Sequence, residues 1–379
     1  MKRTSITPRQ NWEQKVIDQG FLFYKHESYY NETIAYEFNN EEIDLIETAT
    51  SDLFEMCLEV VEYVIKNKLW DEFFIPKQYA ELIEWSWQND QPSFYGRFDL
   101  AFNNGQVKLL EFNADTPTSL LESSVIQWYW LQDYNKSYDQ FNSIHEKLLV
   151  HLSECRQHLL PGSLFFSCVQ DNLEDFMNVK YLQDAADQAG FNTDFIYIDD
   201  ISINSASQFI TPSGMQIPNI FKLYPYEWLF NEKFGPNLIS SRDQCYWIEP
   251  QYKAILSNKM LLKYLWDLFP DSPYILPCTF IKPGASGDRP LHYVKKPVYS
   301  REGANISIVV NGEVIEQTTG DYGEEGFLYQ QYFSLPDFDS NRPVIGSWLI
   351  GGKAAGMGIR ESSGLITNNV SRFCPHYIK

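Results

Sequence analysis

Residues 96–119 read GRFDLAFNNGQVKLLEFNADTPTS, and the residues there that could do chemistry are Arg97, Asp99, Glu111, Asn113 and Asp115. Aspartate, glutamate and an asparagine carbonyl are hard oxygen donors. Together they suit a Mg²⁺ ion shared with the phosphates of a substrate. Arg97 beside them would present a planar fork to an anion. Thr116 and Thr118 add small hydroxyls where a substrate could lie. Two carboxylates gathered on a half-buried face repel each other and lose hydration, a cost that a divalent cation offsets. The plain alternative is a charged, solvent-facing hairpin, and the strongly apolar flanking residues weigh against it.

The element that must position these groups is a hairpin. Side chains alternate faces along a strand, so Arg97 and Asp99 share one face of the first strand, and Glu111 and Asn113, with Asp115 a further candidate, share one face of the second. Whether the two sets meet depends on the turn. A two-residue Asn104-Gly105 turn pairs Phe102 with Val107, sets Asp99 against Leu110 and sends the acids to opposite faces. A three-residue loop with Gly105 in a left-handed bulge brings Asp99 and Glu111 to one face. The metal reading therefore expects an odd-length loop.

A second informative stretch is VKKPVYSREGANISIV (294–309). A strand bearing Lys295 and Lys296 enters a polar loop that contains Arg301, Glu302 and Gly303, and a second strand leaves it. Backbone N–H groups in such a loop can cradle phosphate oxygens, with the lysines reaching the same group. An ordinary basic hairpin is the alternative, and neither the P-loop nor the dinucleotide fingerprint is present. GFLYQQYFSLP (326–336) is a strand running into a loop of the kind that can offer backbone groups to an adenine edge. GKAAGMGIRESSGLITNN (352–369) holds one isolated cation, Arg360. Glu174 and Asp175 open an expected helix, where acids complement the helix dipole; the alternative is a pocket for a cationic amine.

The chain around these motifs has 379 residues, enough for two or three packed units at about 150 residues each. Hydrophobic content of 44% and aromatic content of 16% can fill a large core. A net charge of −20 opposes binding to a phosphate backbone, and there is no basic stripe, so nucleic acid is not expected as a partner. Cys57, Cys155, Cys168, Cys245, Cys278 and Cys374 form no CxxC pair and have no histidine at zinc spacing, which reads as reduced, buried thiols in a cytoplasmic protein. MKRTSITPRQNW lacks the apolar stretch of a signal peptide, and no run is long enough to span a membrane.

Helical spacing runs from Glu41 to Trp70 through Ile46, Leu53, Cys57, Val61, Val64 and Ile65, and shorter helices are expected over 78–90, 119–132, 140–159, 174–189 and 257–269. SLFFSCV and FNTDFIYI flank the 174–189 helix as a β-α-β unit. HYVKKPV, ANISIVV, EVIEQ, GFLYQQYF, PVIGSWLI and AAGMGIRES are strand candidates. KPGASGD (282–288) reads as a surface loop. The expected division is an N-terminal helical part with the hairpin 96–115 (1–160), a small α/β subdomain (161–245) and a strand-rich remainder (246–379).

RFDLAF, LLEFNADTPTS, FKLYPYEW, EPQYKAILSNKMLLKYLW, KKPVYSREGANI, YQQYFSLP and GSWLIGGKAAGMGIRESSGLITNN occur in one order. On these motifs the chain, from about residue 10 to its C-terminus, resembles the glutathionylspermidine synthase family. That resemblance implies a mixed α+β / α/β ATP-grasp ligase with permuted strand order, antiparallel sheets and a small preATP-grasp-like α/β subdomain. It implies ATP and Mg²⁺, with two ions, as cofactors. It matches Asp99, Glu111 and Asn113 to metal ligands, Lys259 and Lys296 to the ATP-phosphate lysines, and Gln330, Gln331 and Tyr332 to the adenine hinge. Arg97, Arg301 and Arg360 match arginines around the acid substrate and the transferred phosphoryl group, and Thr116 and Thr118 match hydroxyl residues near a thiol peptide. Glu174 and Asp175 match an acidic pair that binds a polyamine. The implied partners are a peptide-like acid and an amine, polyamine or amino acid, joined through an acyl phosphate. No amidase portion with a nucleophilic cysteine is visible, and Glu302 makes the phosphate loop more acidic than a glutathione pocket suggests. A non-catalytic ATP- or peptide-binding protein on the same fold is the alternative.

Overall fold

The computed structural model describes residues 1–283, 292–368 and 371–379. Most of the expected surface loop 282–288 lies outside the described residues. The hairpin strands Tyr95–Asn103 and Gln106–Asn113 are joined to strands from the far end of the chain. In order, the large sheet runs Arg372–Cys374, Lys353–Ser362, Arg342–Ile350, Tyr95–Asn103, Gln106–Asn113, antiparallel throughout. A small antiparallel sheet follows the order Cys278–Thr279, Phe327–Gln331, Tyr293–Pro297, Ser307–Val310, Glu313–Gln317.

A parallel sheet, Tyr246–Ile248, Asn219–Leu223, Leu164–Cys168, Thr193–Phe195, contains the β-α-β unit read from 163–198 and extends to Tyr246–Ile248. Its two central strands are buried along their whole length, as strands covered on both faces are. The N-terminal forty residues, whose periodicity is weak, contribute Lys2–Ser5 and Ile34–Phe38 to a sheet closed by the C-terminal His376–Ile378. That partnership crosses nearly the whole sequence, which is why local pattern does not reveal it.

The helix Asn40–Asn67 starts where Asn39 and Glu42 cap each other reciprocally. It buries Ile46, Leu53, Cys57, Val61 and Val64 against the large sheet, and its Thr50 hydroxyl meets that of Ser347 at 2.6 Å. The segment expected as one helix over 119–132 begins instead with a wider π turn, Glu122–Ile126, before the α-helix Gln127–Tyr134. Ser123 and Ser124 donate back to the carbonyls of Ser119 and Leu120 there, a bonding pattern that loosens helices. All six cysteines are buried and unpaired. Among the described residues no helix is long and apolar enough to cross a membrane.

Candidate active site

The hairpin turn is tight. Asn103 pairs with Gln106 and Phe102 with Val107, and Asn104 and Gly105 both have positive φ, 51° and 70°, as a two-residue primed turn demands. The expected odd-length loop is therefore corrected. The register nevertheless shifts further along: Leu100 lies opposite Leu109, but Asp99 lies opposite Glu111 and Arg97 opposite Asn113. Leu110 is the extra residue of a β-bulge. One inserted residue reverses the face of everything beyond it, so the bulge does what the loop was expected to do. Its backbone is held from the small sheet, with Lys296 Nζ donating to the Leu110 carbonyl at 2.8 Å and Gln330 Nε2 to that of Leu109 at 2.9 Å.

Arg97, Asp99, Glu111 and Asn113 thus share one face. On the opposite face Phe98 and Phe112 stack at 4.1 Å and enter the core. Arg97 Nε donates to Asp99 Oδ1 at 2.8 Å, and Arg360 Nη2 donates to Asp99 Oδ2 at 2.8 Å. Room for the Arg97 side chain exists because Gly346 stands opposite Asp99 on the adjoining strand. A Cβ there would lie 2.9 Å from Arg97 Cδ. Arg97 Nη1 also donates to the Thr118 carbonyl at 2.6 Å.

Lys259 precedes the helix Met260–Leu268, and just before it Asn258 Oδ1 accepts from the Met260 N–H at 2.8 Å. Its ammonium donates to the Ser300 carbonyl at 2.8 Å and stands 3.4 Å from Glu111 Oε2. Lys296 donates to Gln330 Oε1 at 2.8 Å. Burial pushes the Glu111 carboxyl up, but Lys259 and Lys296, with the Asn113 amide and Arg97, outweigh it and bring it down to about 2. Burial pulls the Lys296 ammonium down to about 8, with Glu111 opposing the fall and Lys259 adding to it. Two lysines from distant segments therefore converge on one hairpin carboxylate.

Asp99, Glu111 and Asn113 present oxygen-bearing groups from one face to one cavity. Two carboxylates are what Mg²⁺ takes from protein when phosphates and water complete its shell, so this donor set fits that ion. Among the described residues there is no group of three or more His, Cys, Asp or Glu side chains placed to hold a metal ion.

The cavity, of about 290 Å³, is lined by Arg97, Asp99, Glu111, Asn113, Thr116, Thr118, Lys296, Gln330, Gln331, Tyr332, Arg301, Arg360, Glu174 and Asp175 together. Lys259 lines a smaller recess that shares Glu111, Asn113, Thr116 and Arg301 with it. The N–H groups of Gln331 and Tyr332 are already given to the carbonyls of Pro277 and His292, at 2.7 and 3.2 Å. Glu174 and Asp175 sit in the first turn of the helix Leu173–Gln188, capped by Asn172, and face the cavity as well. Burial raises both carboxyls. Asp175 is pushed up to about 7, with Glu174 adding to the burial, and Glu174 is restrained by the Thr118 hydroxyl and Arg360.

Asp115 is not among the cavity's oxygen donors. It lines only the adjoining recess, is 1% exposed, and is paired with Lys222 at 2.6 Å while accepting the Tyr226 N–H at 3.0 Å. This corrects its candidacy as a further ligand. Sequence reasoning also missed Glu227 and Trp228. Glu227 accepts from Arg301 Nη2 at 3.0 Å, the Trp228 ring lies 5.5 Å from its guanidinium carbon, and Thr116 Oγ1 accepts from Nη1. FKLYPYEW carried the only signal for them, an acid and an aromatic side by side in an otherwise apolar run.

The chain matches the family model described as glutathionylspermidine synthase preATP-grasp over residues 3–379. A Haemophilus influenzae protein provisionally named an acid–amine ligase is 39% identical over 393 positions, covering 100% of this chain and 99% of its own. Trypanothione synthetase of Crithidia fasciculata is 28% identical over 87% of this chain and 54% of its own length. The bifunctional glutathionylspermidine synthetase/amidase of Escherichia coli is 26% identical over 86% and 56%. The chain spans about half the length of these two longer relatives. Among solved structures, a glutathione synthetase-like effector of Globodera pallida in its apo form matches with a TM-score of 0.57, over 99% of this chain and 98% of that one, at 11% identity. That likeness is one of fold.

Proposed function

We propose that this chain, which belongs to the glutathionylspermidine synthase preATP-grasp family and is a carbon–nitrogen ligase, joins a peptide-like acid to an amine at the expense of ATP through an acyl phosphate. The observation that carries the reading is the pairing of Asp99 with Glu111 inside a cavity that has Lys296, Arg97 and Arg360 around that pair and Glu174 and Asp175 on its wall. The sheets around the cavity are read as an ATP-grasp core of permuted strand order, with the parallel sheet as its preATP-grasp-like subdomain.

Asp99, Glu111 and Asn113 would hold Mg²⁺, two ions in this reading, which neutralises phosphoryl charge when bound. Lys259 and Lys296 bind the phosphates of ATP, and Gln330, Gln331 and Tyr332 border its adenine. Arg301 and Thr116 hold the acid, and Thr118 orients Glu174. A carboxylate oxygen of the acid attacks the γ-phosphorus, the bond to ADP breaks, and Arg97 and Arg360 neutralise the phosphoryl group in transit. The amine, anchored by Glu174 and Asp175 through a charged nitrogen, then attacks the acyl carbon with a second, neutral nitrogen. Phosphate leaves with the electrons of the C–O bond and takes up the proton that the nitrogen gives up. Positioning and charge neutralisation supply the acceleration, and no nucleophilic side chain is needed. The substrates are small cytoplasmic metabolites.

The test is incubation with Mg²⁺, ATP and a metabolite extract, read by mass spectrometry. A new amide appearing in step with ADP supports the reading. ADP release that needs no amine, or none at all with a broad panel of acids and amines, rejects it.

A further inference from the structure

Across the small sheet, Gln330 pairs with Val294, Val294 with Ile308, and Ile308 with Glu316. Residues directly opposite one another in a ladder share a face. Gln330, Val294 and Ile308 line the cavity, so Glu316, on the outermost strand, ends a row that faces it. Its carboxylate accepts from the Leu365 N–H at 2.8 and 2.9 Å and from the Ile366 N–H at 3.0 Å. These two residues belong to the turn 363–368, which continues from the strand Lys353–Ser362 of the large sheet. Leu365 and Ile366 line the cavity, and Ile366 packs with Ile306 and Ile308 in a small apolar cluster. One carboxylate and that cluster therefore join the two sheets along one side of the cavity.

From this we infer that Glu316 is a positioning residue of the nucleotide site. It fastens the turn 363–368 against the small sheet, so that the base of a bound nucleotide is enclosed between Val294 and Ile308 on one side and Leu365 on the other. The inference rests on the ligase reading above. An ionised acceptor bonded to two backbone donors is stronger than a neutral one, and both N–H groups reach Oε1 of this one carboxylate. Glu316 acts through the turn and touches no substrate.

The test is stopped-flow dissociation of a fluorescent ADP from the full chain with Mg²⁺, with amide exchange of residues 363–368 followed in parallel. Glu316→Ala is expected to raise the dissociation rate about tenfold and to speed exchange at Leu365 and Ile366. Gly364→Ala works from the other side of the contact, since its methyl would lie 2.6 Å from Glu316 Oε1, and should act in the same direction. Glu316→Gln, which keeps one neutral acceptor, should fall between wild type and Glu316→Ala. Melting temperatures identify any variant that fails to fold. Dissociation within about twofold of wild type for both alanine variants overturns the inference alone. Failure of the wild type to bind Mg·ADP overturns the ligase reading and this inference with it.

Discussion

Asp99 faces Glu111 across a hairpin whose tight Asn104-Gly105 turn, continued regularly, would set it against Leu110. The residue that reconciles the two is Leu110, and its carbonyl is bonded to Lys296. The bulge is thus stabilised by one of the cations that the carboxylates face.

Inserting one alanine between Leu110 and Glu111 should shift the strand beyond the bulge by one residue and send Glu111 and Asn113 to the core face. Mg·ADP binding, measured by calorimetry, is expected to weaken by more than about tenfold. The far-ultraviolet circular dichroism should stay near wild type. Undiminished binding by the folded variant would show that the register is not what assembles the site.

Asp99→Ala leaves Arg97 and Arg360 without the carboxylate they share, and Glu111→Ala leaves Lys259 without its carboxylate partner. Amide formation should fall by about two to three orders of magnitude in each. Chelation of Mg²⁺ should abolish ADP release in the wild type, and added Mg²⁺ should restore it.

Asp175, pushed up to about 7 by burial and Glu174, ionises as pH rises, and its anionic form is the one that holds an ammonium. The kcat/KM for the amine should therefore climb through pH 7, and Asp175→Asn should flatten that limb. For stability the sign is reversed. The folded group keeps its proton up to about 7 while the unfolded one loses it near the ordinary 3.8, so folding loses stability as pH rises between those values. Asp175→Asn should accordingly melt higher than wild type above pH 7, and the difference should vanish below about pH 4. Thermal melts across that range check both statements.

Lys222 and Asp115 are 0% and 1% exposed, and burial works against the charge on each, raising the acid and lowering the base. Removing either partner alone, as Asp115→Asn or Lys222→Met, should cost about 3–5 kcal/mol. The double variant Asp115→Asn with Lys222→Met should recover much of that loss. Denaturant unfolding of the three variants reads the coupling directly.

Within one strand or helix, the sequence by itself determined a good deal. Alternation placed Arg97 with Asp99 and Glu111 with Asn113, and the three- and four-residue spacing of Ile46, Leu53, Cys57, Val61 and Val64 specified the long helix. Both follow from repeats of the backbone that neighbours in sequence obey. The Leu110 bulge was not legible, because a bulge is chosen by what holds it, and here Lys296 and Gln330 do so from another sheet. The fate of Asp115 was equally hidden, since a carboxylate reads the same in sequence whether it faces a cavity or a buried lysine. Tertiary structure alone decided that Lys259 meets Glu111, that Arg360 meets Asp99 and that Glu316 meets Leu365. Those pairs join segments whose separation along the chain leaves no local pattern, and only the packing of two sheets around one cavity brings their charges within reach.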